Sequence, residues 1–512
     1  MLHSALEMNK TPGGNGNGEG ANGLLEQPKK RAAPPSAATT ATEAGESRVT
    51  FQTHDKLSLQ GTPERITRHQ AVFELHSPAA VPRLSEALDQ FQIVLQGRTV
   101  YSGRAVVRSV VDAGPKIVCA ATLNDAHWTD LNLVLALQQD GQIEREFKSF
   151  LVGWQKSYRV LPEFKIVVAD MQTFLQDMQL WLERVELGIS ALPSSEQAEM
   201  EHEIARQLAP EVVPVIANLF EKFEAASSHI DEDLIPAHHA FGKLQLQPFL
   251  MCSPFVWRTL TKPLGYAGDY EMVNMMLRDP LEGGSLFGKM INAYALQLPP
   301  IVAHRNRLAY LREQLVKETL RVTARGDTAR VFNLGCGPAQ EVQRFLAEDA
   351  VSNRAHFTLA DFNQETLEHT AKVLADLKRR HTRRTTILMQ KQNVTQLIKA
   401  ADRPVHRSPN DLYDVVYCAG VFDYLSDQVC QRLMDAFYDL LAPDGLLIVT
   451  NVDKHPARHE MECFLEWNLI YRDANQMRTI VPRRAAPENV LVRCDATGVN
   501  LFLEVRKPAH EK

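Results

Sequence analysis

Hydrophobic and polar positions follow three regimes along the chain. Between about Arg48 and Asn124 the apolar residues fall in short alternating runs, Ala71–Leu75, Phe91–Leu95, Thr99–Val100, Gly103–Val110 and Lys116–Ala121, with glycines at 97, 103 and 114 as punctuation. Period-two alternation buries one face of a strand, so this spacing predicts a small antiparallel barrel or sandwich. From Asn124 to about Leu250 apolar residues recur every three or four positions through Phe147–Trp154, Met171–Leu187 and Val212–Phe223. That is the helical period, with Pro162, Pro193 and Pro236 placed to break or start helices. Beyond Gly326 compact apolar runs at Val331–Leu334, His356–Ala360, Thr386–Met389 and Tyr413–Cys418 read as strands, separated by helical stretches such as Gln340–Ala347.

At 512 residues the chain exceeds the roughly 250–300 residues at which single cores stop growing, so several domains are expected. The pattern divides it into a tail (1–47), a barrel (48–124), a helical region (125–250), a lid and helical connector (251–325) and an α/β sheet domain (326–512). The tail is rich in Gly, Asn, Ala, Pro and Thr and reads as disordered. Hydrophobic residues at 45%, charged residues at 23% and a net charge of -6 are ordinary globular values and argue against a nucleic-acid polymer as partner. The seven cysteines show no CxxC pair and no disulfide-like framework, which points to a reducing compartment and a cytoplasmic protein. No run approaches the roughly 18 apolar residues of a membrane span, and the N-terminus lacks the pattern of a secretory signal. The cluster of His229, His238 and His239 beside Asp231, Glu232 and Asp233 has no recognisable ligand spacing and reads as a solvated loop, so no metal is expected.

The chemistry concentrates at Val331–Glu341, VFNLGCGPAQE, where a strand runs into a glycine-rich turn at the mouth of a helix. Gly335 and Gly337 let the backbone take strained dihedrals and approach a ligand closely, and the helix start favours an anionic group. The second strand ends at Asp361, where a carboxylate can accept hydrogen bonds from ribose hydroxyls. Gln340 stands where a dinucleotide fingerprint wants its third glycine, which weighs against a nicotinamide cofactor and leaves any adenosine-containing ligand. The third strand leads to Asn393, and the fourth opens into Ala419, Gly420, Val421, Phe422, Asp423 and Tyr424. The segment Pro254–Asn274, rich in aromatics, glycines and charges, is a candidate lid, with Gly265 and Gly268 as hinges and Tyr266, Tyr270 and Asp269 facing ligand. A helix over Pro299–Lys317 carries His304, Arg305 and Arg307 toward the same place.

From about Gly326 to Arg506 the chain resembles class I S-adenosylmethionine-dependent methyltransferases, with NLGCGP as first motif and FTLADF as the acidic ribose motif. The resemblance implies a Rossmann-like sheet with a fifth strand at Gly445–Asn451 and a closing antiparallel hairpin from Asn489–Cys494 and Asn500–Val505. It implies S-adenosyl-L-methionine as cofactor, held by Asn333, Gly335, Cys336, Gly337, Asp361, Phe362, Asn393, Val394, Ala419 and Gly420. Asn333 stands where the family commonly has an acid, and Ala339 where it often has glycine. KPLGYAGDYEMVNMM, PPIVAHRNR, VFNLGCGPAQEVQRF and AGVFDYLSD further resemble a bacterial subgroup related to quorum-sensing 3-hydroxy-fatty-acid methyl ester synthases, which implies a small or fatty-acyl carboxylate as methyl acceptor. Such an acceptor arrives ionised and needs orientation by a cation such as Arg305. A hydroxyl or amine would need a base, for which His304, Asp269 and Asp423 are candidates, with Tyr266 beside them.

The N-terminal stretches PERITRHQAVFEL and FQIVLQGRTVYSGRAVVRSV resemble PilZ-type barrels, which bind cyclic di-GMP. Arg65 and Arg68 are then the candidate ligand contacts. Only two residues separate them where the family has three, and no DxSxxG segment follows, so the barrel is expected to be degenerate. Two roles stay open for it: a structural or docking module, or a cyclic-di-GMP sensor attached to a cofactor-binding, non-catalytic C-terminal domain.

Overall fold

The structure, a computed structural model, describes residues 47–76, 81–95, 97–112, 116–123, 128, 148, 160–401 and 411–509. The expected tail therefore lies outside the described residues, as does nearly all of the helical run Phe147–Trp154.

Strands β1 (Arg48–Gln52), β2 (Ser58–Ile66), β3 (Gln70–His76), β4 (Ala87–Leu95), β5 (Arg98–Asp112) and β6 (Lys116–Leu123) close a barrel in the order β1-β2-β3-β6-β5-β4. Its inward residues include Val49, Phe51, Phe73, Phe91, Ile93, Tyr101 and Val107, with Phe51 and Phe91 stacked at 5.8 Å. The runs at 99–100 and 103–110 are one strand, because Gly103 pairs with Phe91 inside the ladder and does not end it. Alternation gives no sign of β2, whose sequence SLQGTPERI buries only Gly61. A Cβ there would lie 2.6 Å from the Glu74 carbonyl, so β2 is held by close backbone approach and not by an apolar face.

The helical layer begins with α1 (Pro162–Ser190), α2 (Ser194–Ser227) and α3 (Ile235–Leu250). Pro162 sits in the first turn of α1, where a missing amide costs nothing, and Pro193 caps α2, which then runs on through Pro210 and Pro214. The shorter helices α4 (Pro254–Thr261), α5 (Tyr270–Met275) and α6 (Leu286–Ala295) lead to α7 (Pro299–Thr323). Their shared core joins Phe164, Phe220, Phe223 and Tyr294 to Phe464, which arrives from far along the chain.

Inside this layer Glu224 accepts the amides of His459 (3.2 Å) and Glu460 (2.6 Å), closing the N-terminal turn of a late helix. Burial pushes its carboxyl up to about 7, against the pull of those two amides. A carboxyl whose folded value lies above its unfolded one contributes stability below about pH 4.5 that is lost as pH rises to about 7, since the unfolded chain releases the proton first. Glu224→Gln is expected to remove this fall in stability across pH 5–7 while keeping an acceptor for the amides. Thermal unfolding of both proteins over that range checks it, and parallel pH profiles would count against the assignment.

The second sheet has seven strands in the order β12-β13-β11-β10-β7-β8-β9. They are β7 (Ala329–Leu334), β8 (Ala355–Asp361), β9 (Thr386–Lys391), β10 (Tyr413–Cys418), β11 (Leu441–Val452), β12 (Val490–Cys494) and β13 (Asn500–Arg506). β7 to β11 run parallel and β13 is antiparallel to β11. Alternate residues serve opposite faces. Val331, Phe357 and Val415 pack under α7, α8 (Gln340–Glu348) and α9 (Gln364–Arg380), whereas Phe332, Val416 and Leu447 pack under α10 (Val394–Ala401) and α11 (Asp427–Leu440). This is the doubly wound, Rossmann-like α/β arrangement with its closing hairpin. β7 passes on to β8 on one side and neighbours β10 on the other, so the strand order reverses between β7 and β10 and a crevice opens at their carboxyl ends.

The barrel belongs to the same compact unit as this sheet. Ala87 donates its amide to Gly265 (2.9 Å), Ser85 and Asn468 exchange hydrogen bonds of 2.9 and 2.6 Å, and Arg83 lies 3.8 Å over the Phe362 ring. Among the described residues no helix is long and apolar enough to cross a membrane.

Candidate active site

The turn after β7 is built by its glycines. Gly335 and Gly337 take φ of 71° and 50°. A Cβ on Gly335 would overlap Val421 Cγ2 from the loop after β10, whereas the space over Gly337 is open. Ala339, the N-cap of α8, also lies in the left-handed region at φ 50°, which is why glycine is favoured there and why this alanine is strained.

The amides of this turn are already used. Gly335 and Cys336 both donate to the Ala360 carbonyl, at 2.8 and 3.0 Å, and Gly337 donates to Asp361 Oδ2 at 3.1 Å. Asp361 Oδ1 accepts the amide of Asn363 at 2.9 Å. Burial pushes the Asp361 carboxyl up, and these amides work against that. A carboxylate has about four acceptor sites, so a ligand hydroxyl can join these amides without displacing them. Phe362, the next residue, is boxed by Tyr266 (5.0 Å), His54 (5.9 Å) and the Arg83 guanidinium. The Tyr266 hydroxyl lies 3.5 Å from Thr366 Oγ1, and its phenol is pushed up by burial and then by Asp361. Asn393 caps α10 by accepting the Gln396 amide at 2.8 Å, and Val394 is the first residue of that helix.

Beneath the turn, Asn333 Nδ2 is 3.4 Å from Glu341 Oε1, which also accepts the Tyr417 hydroxyl at 2.7 Å. Asn333 Oδ1 is buried without a partner. Burial raises the Glu341 carboxyl, and Tyr417 opposes the rise. An acidic side chain from eight residues further along, Glu341, thus lies against Asn333. Cys336 is buried and its thiol is pushed well up by that burial.

After β10, Gly420 (φ 89°) donates its amide to Thr450 Oγ1 at 3.1 Å and lies directly over Arg307, its ideal Cβ 3.2 Å from Nη1. Ala419 precedes it. Asp423 is buried, with Oδ1 accepting the Val452 amide at 2.7 Å, and burial raises its carboxyl against the pull of Arg307. The neighbouring Tyr424 hydroxyl accepts Trp467 Nε1 at 2.8 Å and abuts Gly268 of the 262–269 segment. Arg472 ties this loop down by donating to the carbonyls of Phe422 (2.8 Å) and Leu425 (2.5 Å).

On α7 the structure separates neighbours. Arg305 donates to the carbonyls of Met276 (3.1 Å) and Leu296 (2.8 Å), holding the connector, whereas Arg307 stands under Gly420 with its Nη2 2.7 Å from His304 Nδ1. Asp269 caps α5, accepting the Met272 amide (2.8 Å) and Arg258 Nε (3.0 Å). His238 is a core histidine, bonded to the Leu161 amide (2.9 Å) and the Leu234 carbonyl (2.8 Å). In the barrel, Arg65 forms an exposed ion pair with Asp233 at 3.4 Å, and the Arg68 carbonyl accepts Trp128 Nε1 at 2.9 Å. Arg83 and His54 were absent from the sequence reading, because nothing local connects them with a site some 280 residues further on.

Residues 332–447 match a protein family described as "Methyltransferase domain". No curated protein matches significantly. Among solved structures, the chain is similar to "a possible exported protein from Bordetella parapertussis", with 18% identity, 59% of this chain and 97% of that chain covered, and a TM-score of 0.40. It is also similar to magnesium protoporphyrin IX methyltransferase from Synechocystis PCC 6803 with bound SAH, at 13% identity, 40% and 84% coverage and a TM-score of 0.29. The N-methyltransferase NodS from Bradyrhizobium japonicum WM9 in complex with S-adenosyl-L-homocysteine matches at 16% identity, 47% and 98% coverage and a TM-score of 0.27.

Proposed function

We propose that the chain is an S-adenosyl-L-methionine-dependent methyltransferase whose acceptor is a small or fatty-acyl carboxylate. The observation that carries this reading is the pairing of the left-handed Gly335–Gly337 turn after β7 with Asp361 at the end of neighbouring β8, beside the reversal of strand order and within the segment that matches a methyltransferase domain.

The residues present suit such a donor. Asp361 offers acceptor lone pairs for two ribose hydroxyls, Phe362 offers a ring beside them for the base, and the open space over Gly337 admits the chain joining sugar to sulfur. Asn333 Oδ1, shielded and unpartnered, supplies an acceptor below the turn. When bound, the donor supplies an electrophilic methyl group on a sulfonium. The protein's contribution is then alignment of the acceptor oxygen and exclusion of water, from which much of the rate is obtained. A carboxylate acceptor needs no base. Tyr266, on the 262–269 segment, reaches Thr366 beyond Asp361, and Tyr424, in the loop after β10, abuts Gly268 of the same segment.

Calorimetry with S-adenosylhomocysteine tests the donor assignment. Asp361→Ala is expected to weaken binding by about 1–3 kcal/mol, the usual cost of leaving buried hydrogen-bonding groups unpaired. Unchanged affinity would reject the ribose role. Mass spectrometry of cell extracts with and without the protein, searching for methyl esters one CH₂ heavier than their parent acids, tests the acceptor class.

A further inference from the structure

Among the described residues, Arg307 Nε and His304 Nε2, one turn apart on α7, are both shielded from solvent and have no hydrogen-bond partner. Their neighbours fix what each can offer. Arg307 is a permanent cation and can only donate, so its Nη2 donates to His304 Nδ1 at 2.7 Å. Nδ1 is then the acceptor of a neutral imidazole, and the proton of that ring resides on Nε2. The two orphans are therefore both N–H donors. Buried donors left unpaired carry a substantial penalty, and native structures seldom keep two together unless a ligand or water satisfies them.

The surroundings favour an anion. Asp423 and Glu341 act on Arg307 through space, yet among the described residues neither is hydrogen-bonded to its guanidinium. Asp423 spends Oδ1 on the Val452 amide, and Glu341 spends Oε1 on Tyr417. Nη1 faces Gly420, two residues beyond the end of β10, where any Cβ would lie 3.2 Å from it and crowd the guanidinium. A planar fork and an additional neutral donor beside a glycine make a receptor for a planar group that only accepts hydrogen bonds.

We propose that Arg307 and His304 form a carboxylate seat beneath Gly420. This rests on the methyltransferase reading and deepens it, because two carboxylates belong to that reaction: the α-carboxylate of the donor's amino-acid end and the carboxylate of the acceptor. The shared chemistry is a carboxylate. Arg305, two residues away and committed to backbone carbonyls, takes no part in it.

The test is calorimetry on the full chain and on Arg307→Gln with S-adenosylhomocysteine, 5′-methylthioadenosine, which lacks the amino-acid end, and decanoate. Removing a charged donor pair is expected to weaken at least one carboxylate-bearing probe by about tenfold or more, with 5′-methylthioadenosine unchanged. Loss for S-adenosylhomocysteine assigns the seat to the donor, and loss for decanoate assigns it to the acceptor. Arg307→Lys keeps the charge without the fork and should recover part of the loss; it also carries the comparison should Arg307→Gln prove misfolded by its thermal midpoint. Undiminished affinity of both variants for both carboxylates overturns the seat, and so does a wild-type chain that binds neither. The adenosine cradle is judged separately, by whether 5′-methylthioadenosine binds and whether Asp361→Ala weakens it.

Discussion

Gly335→Ala is expected to abolish measurable donor binding and to lower the thermal midpoint of the chain. Two costs combine. An alanine held at φ 71° gives up about 1–2 kcal/mol relative to glycine. Its methyl would also overlap Val421 Cγ2, so the turn after β7 and the loop after β10 must be pushed apart, and these are the two walls of the crevice. Gly337→Ala is the matched contrast. It pays a similar backbone cost at φ 50°, but nothing stands within 4 Å of the new methyl. That variant should remain closer to wild-type stability while its methyl intrudes on the space left for the ligand. Calorimetry with S-adenosylhomocysteine and thermal unfolding of both variants check this. A Gly335→Ala protein that binds normally would mean that the crevice is not the donor site.

The second large effect is structural. Arg472 is 1% exposed, yet it donates to the carbonyls of Phe422 and Leu425, to Asn451 Oδ1 (2.7 Å) and to Asp427 Oδ1 (2.7 and 2.9 Å). The ion pair itself contributes little, because the Asp427 side chain is 67% exposed and screened by solvent. The cost of Arg472→Met comes from the two carbonyls and the amide oxygen left without donors inside the protein, and is expected to be about 3–5 kcal/mol. The loop carrying Asp423 and Tyr424 should loosen first. Hydrogen exchange across 420–426 together with thermal unfolding measures this, and a variant with native protection there would show that the loop is held by other means.

Much of the sheet was legible because its signals are local. The runs read at 331–334, 356–360, 386–389 and 413–418 became β7 to β10, and the turn between Cys494 and Asn500 joins the hairpin as its alternation suggested. Gly335, Gly337 and Asp361 meet because a strand, a tight turn and a parallel neighbour leave the chain few alternatives. In the barrel the same reasoning read a strand break at Gly103 and overlooked β2, since close backbone contact at Gly61 leaves no apolar rhythm. The basic residues of α7 show a different failing. His304 and Arg307 are three apart and share a helix face, whereas Arg305 does not, so the spacing already separated them. Arg83, Arg472 and Glu224 could not have been found this way, because their partners are set by tertiary packing between elements distant in sequence.

The close fit between the barrel and the crevice bears on how this protein can be handled in the laboratory. Cutting the chain after Leu123 to isolate the helical layer and the second sheet would strip the guanidinium from the ring of Phe362, leave the Gly265 carbonyl without the Ala87 amide, and take Arg104 away from Glu466. Such a fragment would present altered surroundings to Phe362. Affinities measured on it would describe the truncation and not the full chain.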